Sequence, residues 1–93
     1  MIPVQDLQSL QGISELAIAE ARSLQIRTDL MLGLQRYIQQ QGWTPEQAAM
    51  RLKQPLPRIQ NLMNGEISRF SVEQLIQLLA SVGLHVHVSI TDA

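Results

Sequence analysis

Apolar residues recur every three or four positions through the first half of the chain. Ile13, Leu16, Ala17, Ala21 and Leu24 form one stripe, and Leu30, Leu34 and Ile38 continue the period with Met31 and Tyr37 beside them. That spacing predicts helix. It leaves open whether residues 14–41 make one long helix or two with a bend near Ile26. Ser14 is a candidate cap, Gly33 weakens the helix by roughly 1 kcal/mol relative to Ala, and Gly42 ends it. Residues 1–12, MIPVQDLQSLQG, are less regular. Pro3 and Gly12 frame Val4, Leu7 and Leu10, which suits a turn or two of helix or an arm that orders on a partner.

The stretch WTPEQAAMRLKQPLPRIQNLMNG, residues 43–65, carries a different pattern. Thr44 can cap a helix by accepting from an early backbone N–H. Pro45 at the first helical position sacrifices no hydrogen bond. Gln47 stands three residues after Thr44 and completes a capping box, with Trp43 placed to staple onto Ala48. Ala48, Ala49 and Leu52 give the buried stripe of a short helix, and Ile59, Leu62 and Met63 give that of a second. Asn64-Gly65 is a stop signal, with Gly65 free to take positive φ. Two short helices with a break of about four residues form a helix-turn-helix.

The capping device repeats at Phe70-Ser71, where Gln74 closes the box and Phe70 staples onto Leu75. A helix over 72–82 buries Leu75, Leu78, Leu79 and Val82, and Gly83 stops it. The period then switches to two: Val86, Val88 and Ile90 alternate with His85, His87 and Ser89, the pattern of a strand with one buried face. A lone strand leaves its edges unpaired. Pairing with its copy in a second chain satisfies them, so Val86, Val88 and Ile90 are the expected dimerisation residues. The expected fold is mainly α: a five-helix-type helix-turn-helix domain with a C-terminal β-strand that pairs across a homodimer. Residues 1–25 form an N-terminal arm or helix, 26–83 the helix-turn-helix domain, and 84–93 the dimerisation strand and tail.

Composition narrows the classes. With 93 residues the chain is one domain. Aromatics are 3% of an otherwise 45% hydrophobic chain, so the core is aliphatic. There is no cysteine, which excludes disulfides and zinc-thiolate sites. No apolar run reaches membrane-spanning length, and no basic segment leads into an apolar one at the N-terminus, so the cytoplasm is the expected compartment. The net charge is −1, yet all seven basic residues lie between Arg22 and Arg69, against Asp29, Glu46 and Glu66 in the same span. The basic middle is the electrostatic footprint of a nucleic-acid surface; a solvated set of helix faces gives the same count.

Taken together, IRTDLMLGLQRYIQQQGWTPEQAAMRL, PRIQNLMNG and RFSVEQLIQLLASVGLHV resemble the Xre-type helix-turn-helix regulators, and more narrowly the branch that includes HigA-type antitoxins. The likeness covers about 26–90. It implies a small cytoplasmic DNA-binding protein that represses its own operon and neutralises a RelE/HigB-like toxin. The chain departs from the family at the start of the second helix, where Pro55, Leu56, Pro57 and Arg58 stand for a small polar residue followed by Gln, Pro and Arg. Lys53 stands for the turn glycine, and Asn64 and Glu66 flank Gly65 in place of basic residues.

In a helix-turn-helix the second helix enters the major groove, here about 56–64. Arg58 suits a guanine or a phosphate and Asn61 an adenine, with Gln60 a weaker base contact. Thr44, Gln47, Lys53 and Asn64 are the expected DNA-backbone contacts, which position without specifying. His85 and His87 share a strand face, but a metal needs further ligands and Asp92 alone is near, so the bland assignment is a polar outer face. No nucleophile, phosphate loop or framed acidic pair points to catalysis. The apolar stripe of residues 1–25 either completes the core or meets a partner such as a basic toxin. An alternative to the DNA-binding regulator is a protein-interaction module on the same scaffold, for which Pro55-Leu56-Pro57 would make an apolar knob.

Overall fold

The computed structural model describes the backbone of residues 11–92 and the side chains of residues 15–92. Four α-helices follow one another: α1 (Gln11–Gln41), α2 (Pro45–Leu52), α3 (Leu56–Met63) and α4 (Val72–Ser81), with a 3₁₀ turn at Ile67–Arg69 before α4. The expected five-helix count therefore becomes four among the described residues. The open question in the first half resolves to one helix, which runs unbroken through Ile26 and Gly33. Ser14 lies inside α1 and does not cap it. The irregular stretch assigned to residues 1–12 falls outside the described residues except for Gln11 and Gly12, which are helical.

The two capping boxes form as the side chains dictate. The Thr44 hydroxyl accepts from the Gln47 backbone N–H at 3.1 Å, and the Gln47 side-chain oxygen accepts from the Thr44 N–H at 2.9 Å. Ser71 and Gln74 repeat the exchange at 3.1 and 3.0 Å. Each box satisfies two N–H groups that a helix start otherwise leaves bare. The turn between α2 and α3 is made by Lys53, whose φ of 56° and ψ of 47° lie in the left-handed region. Its N–H and that of Gln54 close back on Ala49 and Met50. Glycine is the usual occupant of such a C-terminal position because a Cβ is strained there.

The core is aliphatic around one aromatic ring. Met31, Leu34 and Ile38 of α1, Ala48 and Leu52 of α2, Ile59 and Leu62 of α3, Phe70, and Leu75, Leu78 and Leu79 of α4 are all buried. Helices of eight residues are marginal alone, so α2 and α3 are held by this packing, at roughly 1.5–3 kcal/mol for each large side chain buried. α1 is the mast of the fold. Its C-terminal half packs against α4 and α3, while residues 15–26 are all exposed and stand clear of the core. The stripe of Leu16, Ala17, Ala21 and Leu24 therefore does not complete this chain's core.

Residues 84–92 correct the strand expectation within a single chain: no strand occurs among the described residues. A strand needs another backbone for its N–H and C=O groups, and nothing among the described residues runs beside the tail. Leu84 and Val86 pack back on the core, whereas Val88 and Ile90 are 81% and 95% exposed.

Candidate nucleic-acid interface

α3 buries Ile59 and Leu62 and half-buries Leu56, Arg58, Asn61 and Met63. The opposite face, at helical spacing, presents Pro57, Gln60 and Asn64 to solvent, with Asn61 at its edge and Lys53 in line below them. This outward stripe is the surface that a groove would meet. Two of the three expected base contacts, Gln60 and Asn61, lie on or beside it. Neither makes a side-chain hydrogen bond among the described residues, so their amides retain full donor and acceptor capacity.

Arg58 sits elsewhere. It lies on the flank of α3 facing the start of α4, its guanidinium 4.3 Å from the centre of the Phe70 ring. Its Nη1 donates to the Arg69 carbonyl at 3.3 Å. In the sequence, charge and a place near the helix start mark Arg58 as a base contact. The position relative to the core held the contrary signal: Arg58 immediately precedes buried Ile59 and stands four before buried Leu62, which turns it aside from the outward stripe.

Of the expected backbone contacts, Thr44, Gln47, Lys53 and Asn64 are all exposed. Thr44 and Gln47 are engaged with each other in the α2 cap, so the amide oxygen of Gln47 is already used. Lys53 has no side-chain partner among the described residues and projects from the turn. The start of α3 has no side-chain cap, because Pro55 occupies that position, and Pro57 removes one N–H from the first turn. The ion pair recorded among the described residues joins Arg69 Nε to Glu66 Oε1 at 3.1 Å, so the acid beside Gly65 neutralises the nearest base.

One contact fixes the attitude of α3 and others brace α2, none of them marked by local pattern. The Gln35 side-chain amide of α1 donates to the Leu62 carbonyl at 2.6 Å, tying the end of α3 to the mast. Below α2, Trp43 meets Tyr37 edge-on, with ring centres 5.7 Å apart and planes at 80°, and carries Arg51 5.6 Å from its ring. Gln35 reads in sequence as one more surface glutamine; only the tertiary approach of α3 reveals its role.

His85 and His87 belong to the unpaired tail and are exposed. Among the described residues no group of three metal-ligating side chains comes together, and no helix is long and apolar enough to cross a membrane. No curated protein matches the chain. A family described as a helix-turn-helix domain matches residues 13–91, nearly the whole chain, and takes in α1 through α4 together with the tail; the chain belongs to this helix-turn-helix domain family.

Proposed function

We propose that the chain is a binding protein rather than an enzyme: a cytoplasmic, homodimeric DNA-binding transcriptional regulator that inserts α3 into the major groove of its operator. The observation that carries this reading is the uncovered stripe of α3, where Gln60, Asn61 and Asn64 offer amides beside Lys53. Amide side chains can bridge two atoms of a base edge, and a lysine at the rim suits a phosphate. Dimerisation through the tail is supported by Val88 and Ile90, apolar side chains left bare beyond an anchored Val86. Pairing of the two tails would place two copies of α3 on half-sites about one turn apart. The narrower role, an autoregulatory antitoxin of a RelE/HigB-like toxin, rests on the resemblance of residues 26–90 to the Xre-type, HigA-like branch.

Titration of a fragment from upstream of the gene against scrambled DNA, at two salt concentrations, tests the reading. Preference for the native fragment, falling steeply with salt as counterions are released, is the expected result. Equal binding of both fragments at both salts rejects operator recognition. A specific observation favours the second reading, a protein-interaction module: half-buried Leu56 and exposed Pro57 replace polar groups at the leading end of α3. Under that reading the chain retains a protein partner, such as a toxin, and shows no sequence preference on DNA.

A further inference from the structure

Among the described residues nothing covers residues 15–26 of α1, where Leu16, Ile18, Leu24 and Ile26 are exposed. Ala17, Glu20, Leu24, Arg27, Met31, Leu34 and Ile38 follow one another at alternating intervals of three and four, the heptad spacing of a helix-pairing seam. The last three are buried by this chain's own helices. The first four continue the same face, Ala17, Glu20 and Leu24 exposed and Arg27 half-buried, and together with Ala21 and Ser23 they line a shallow depression. Leu16 and Leu24, on the same side, are 61% and 44% exposed. Among the described residues the lower seam is filled and the upper seam is largely open.

Charge decides what fills it. The segment 15–27 holds Glu15 and Glu20 against Arg22 and Arg27 and is neutral, so a strongly basic or acidic partner gains nothing from it. On the seam itself one acid and one base stand seven residues apart, on either side of Leu24. A second copy laid antiparallel brings Glu20 of each helix to Arg27 of the other, twice over, with Leu24 between them. A parallel copy would set like charge against like. We infer that residues 15–27 of α1 form an isologous, antiparallel contact with a second copy of this chain, separate from any pairing of the tails. At about 1.5 Å per residue the segment spans roughly 20 Å. That is short for a stable interface, so the association is concentration-dependent.

A charge-swap series read by sedimentation equilibrium tests this independently of DNA. The full chain carrying Val88→Asp and Ile90→Asp serves as the background, so that tail pairing and its failure are read separately. In that background, self-association should persist. Glu20→Arg alone and Arg27→Glu alone should each weaken it about tenfold, because each sets like charges in both contacts. An equimolar mixture of the two variants should regain the lost affinity, since each acid then meets a base across the pair. Both positions lie on the projecting helix, and circular dichroism on each variant checks that the helical content is kept. A monomeric background chain, single variants that associate as the background does, or a mixture no tighter than its components each overturns the inference and leaves the face to a different protein.

Discussion

The Arg58 guanidinium rests 4.3 Å from the Phe70 ring and donates to the carbonyl of Arg69. This contact joins the leading end of α3 to the turn before α4. A half-buried cation over an aromatic face is worth about 0.5–2 kcal/mol, and a hydrogen bond from a charged group adds to it. Arg58→Ala is therefore expected to destabilise the domain by about 1–2 kcal/mol. Arg58→Lys keeps the charge but loses the planar fork that stacks and reaches the carbonyl, so it should fall between the two. Urea unfolding of the three proteins checks this; an unchanged midpoint in Arg58→Ala shows that the contact carries no weight.

The elements were legible where a side chain acts on its own backbone. Thr44 with Gln47 and Ser71 with Gln74 are local devices, and both form as their spacing dictates. The buried stripes of α2, α3 and α4 follow from helical period alone. Legibility ended where a contact crosses between elements. The turn to Arg69 and Phe70 captures Arg58, whose spacing from Ile59 and Leu62 marks only the flank it lies on, and the approach of α1 captures Gln35, which carries no mark in local sequence. The alternation of Val86, Val88 and Ile90 is a true period of two, but no backbone among the described residues pairs with it to make a strand.

Gln35 anchors the far end of α3 by donating to the Leu62 carbonyl. That carbonyl also accepts from the Gly65 N–H at 3.1 Å, so its loss of Gln35 is not a complete orphaning. Gln35→Ala is expected to cost about 1 kcal/mol, the ordinary net value of such a bond, and to lower the melting temperature by about 4–8 °C for a domain of this size. Gln35→Glu should be worse than Ala, since a carboxylate oxygen then faces a carbonyl oxygen. Thermal melts of the pair order these outcomes; Glu equal to or better than Ala contradicts the bond.

Lys53 holds a left-handed conformation that costs a side-chain-bearing residue of order 1 kcal/mol. Glycine relieves that strain, offset in part by its freer unfolded chain. Lys53→Gly is expected to stabilise the fold by about 0.5–1 kcal/mol. The same substitution removes a cation from the rim of the outward stripe. If Lys53 meets a phosphate, the salt dependence of DNA binding should lose about one unit of slope while affinity falls alike on all sequences. A variant that is more stable yet binds DNA with an unaltered slope places Lys53 away from the backbone.

Asn61 and Arg58 stand three apart on α3 but are differently engaged, which under the proposed function makes Asn61 a candidate reader and Arg58 a support. Asn61 borders the outward stripe with its amide unengaged, whereas Arg58 is held over Phe70. Asn61→Ala should leave unfolding nearly unchanged and cost about 1–3 kcal/mol at the one base pair it reads, with that position becoming tolerant of other bases. Gln60→Ala should act in the same manner at a neighbouring pair. Arg58→Ala should instead weaken binding in step with its loss of stability and leave the base preference intact. Competition titrations against single-base variants of the bound fragment, run alongside unfolding curves, distinguish the two patterns. If Arg58→Ala relaxes one base position while Asn61→Ala relaxes none, Arg58 leaves Phe70 on the DNA and the outward stripe is not the reading face.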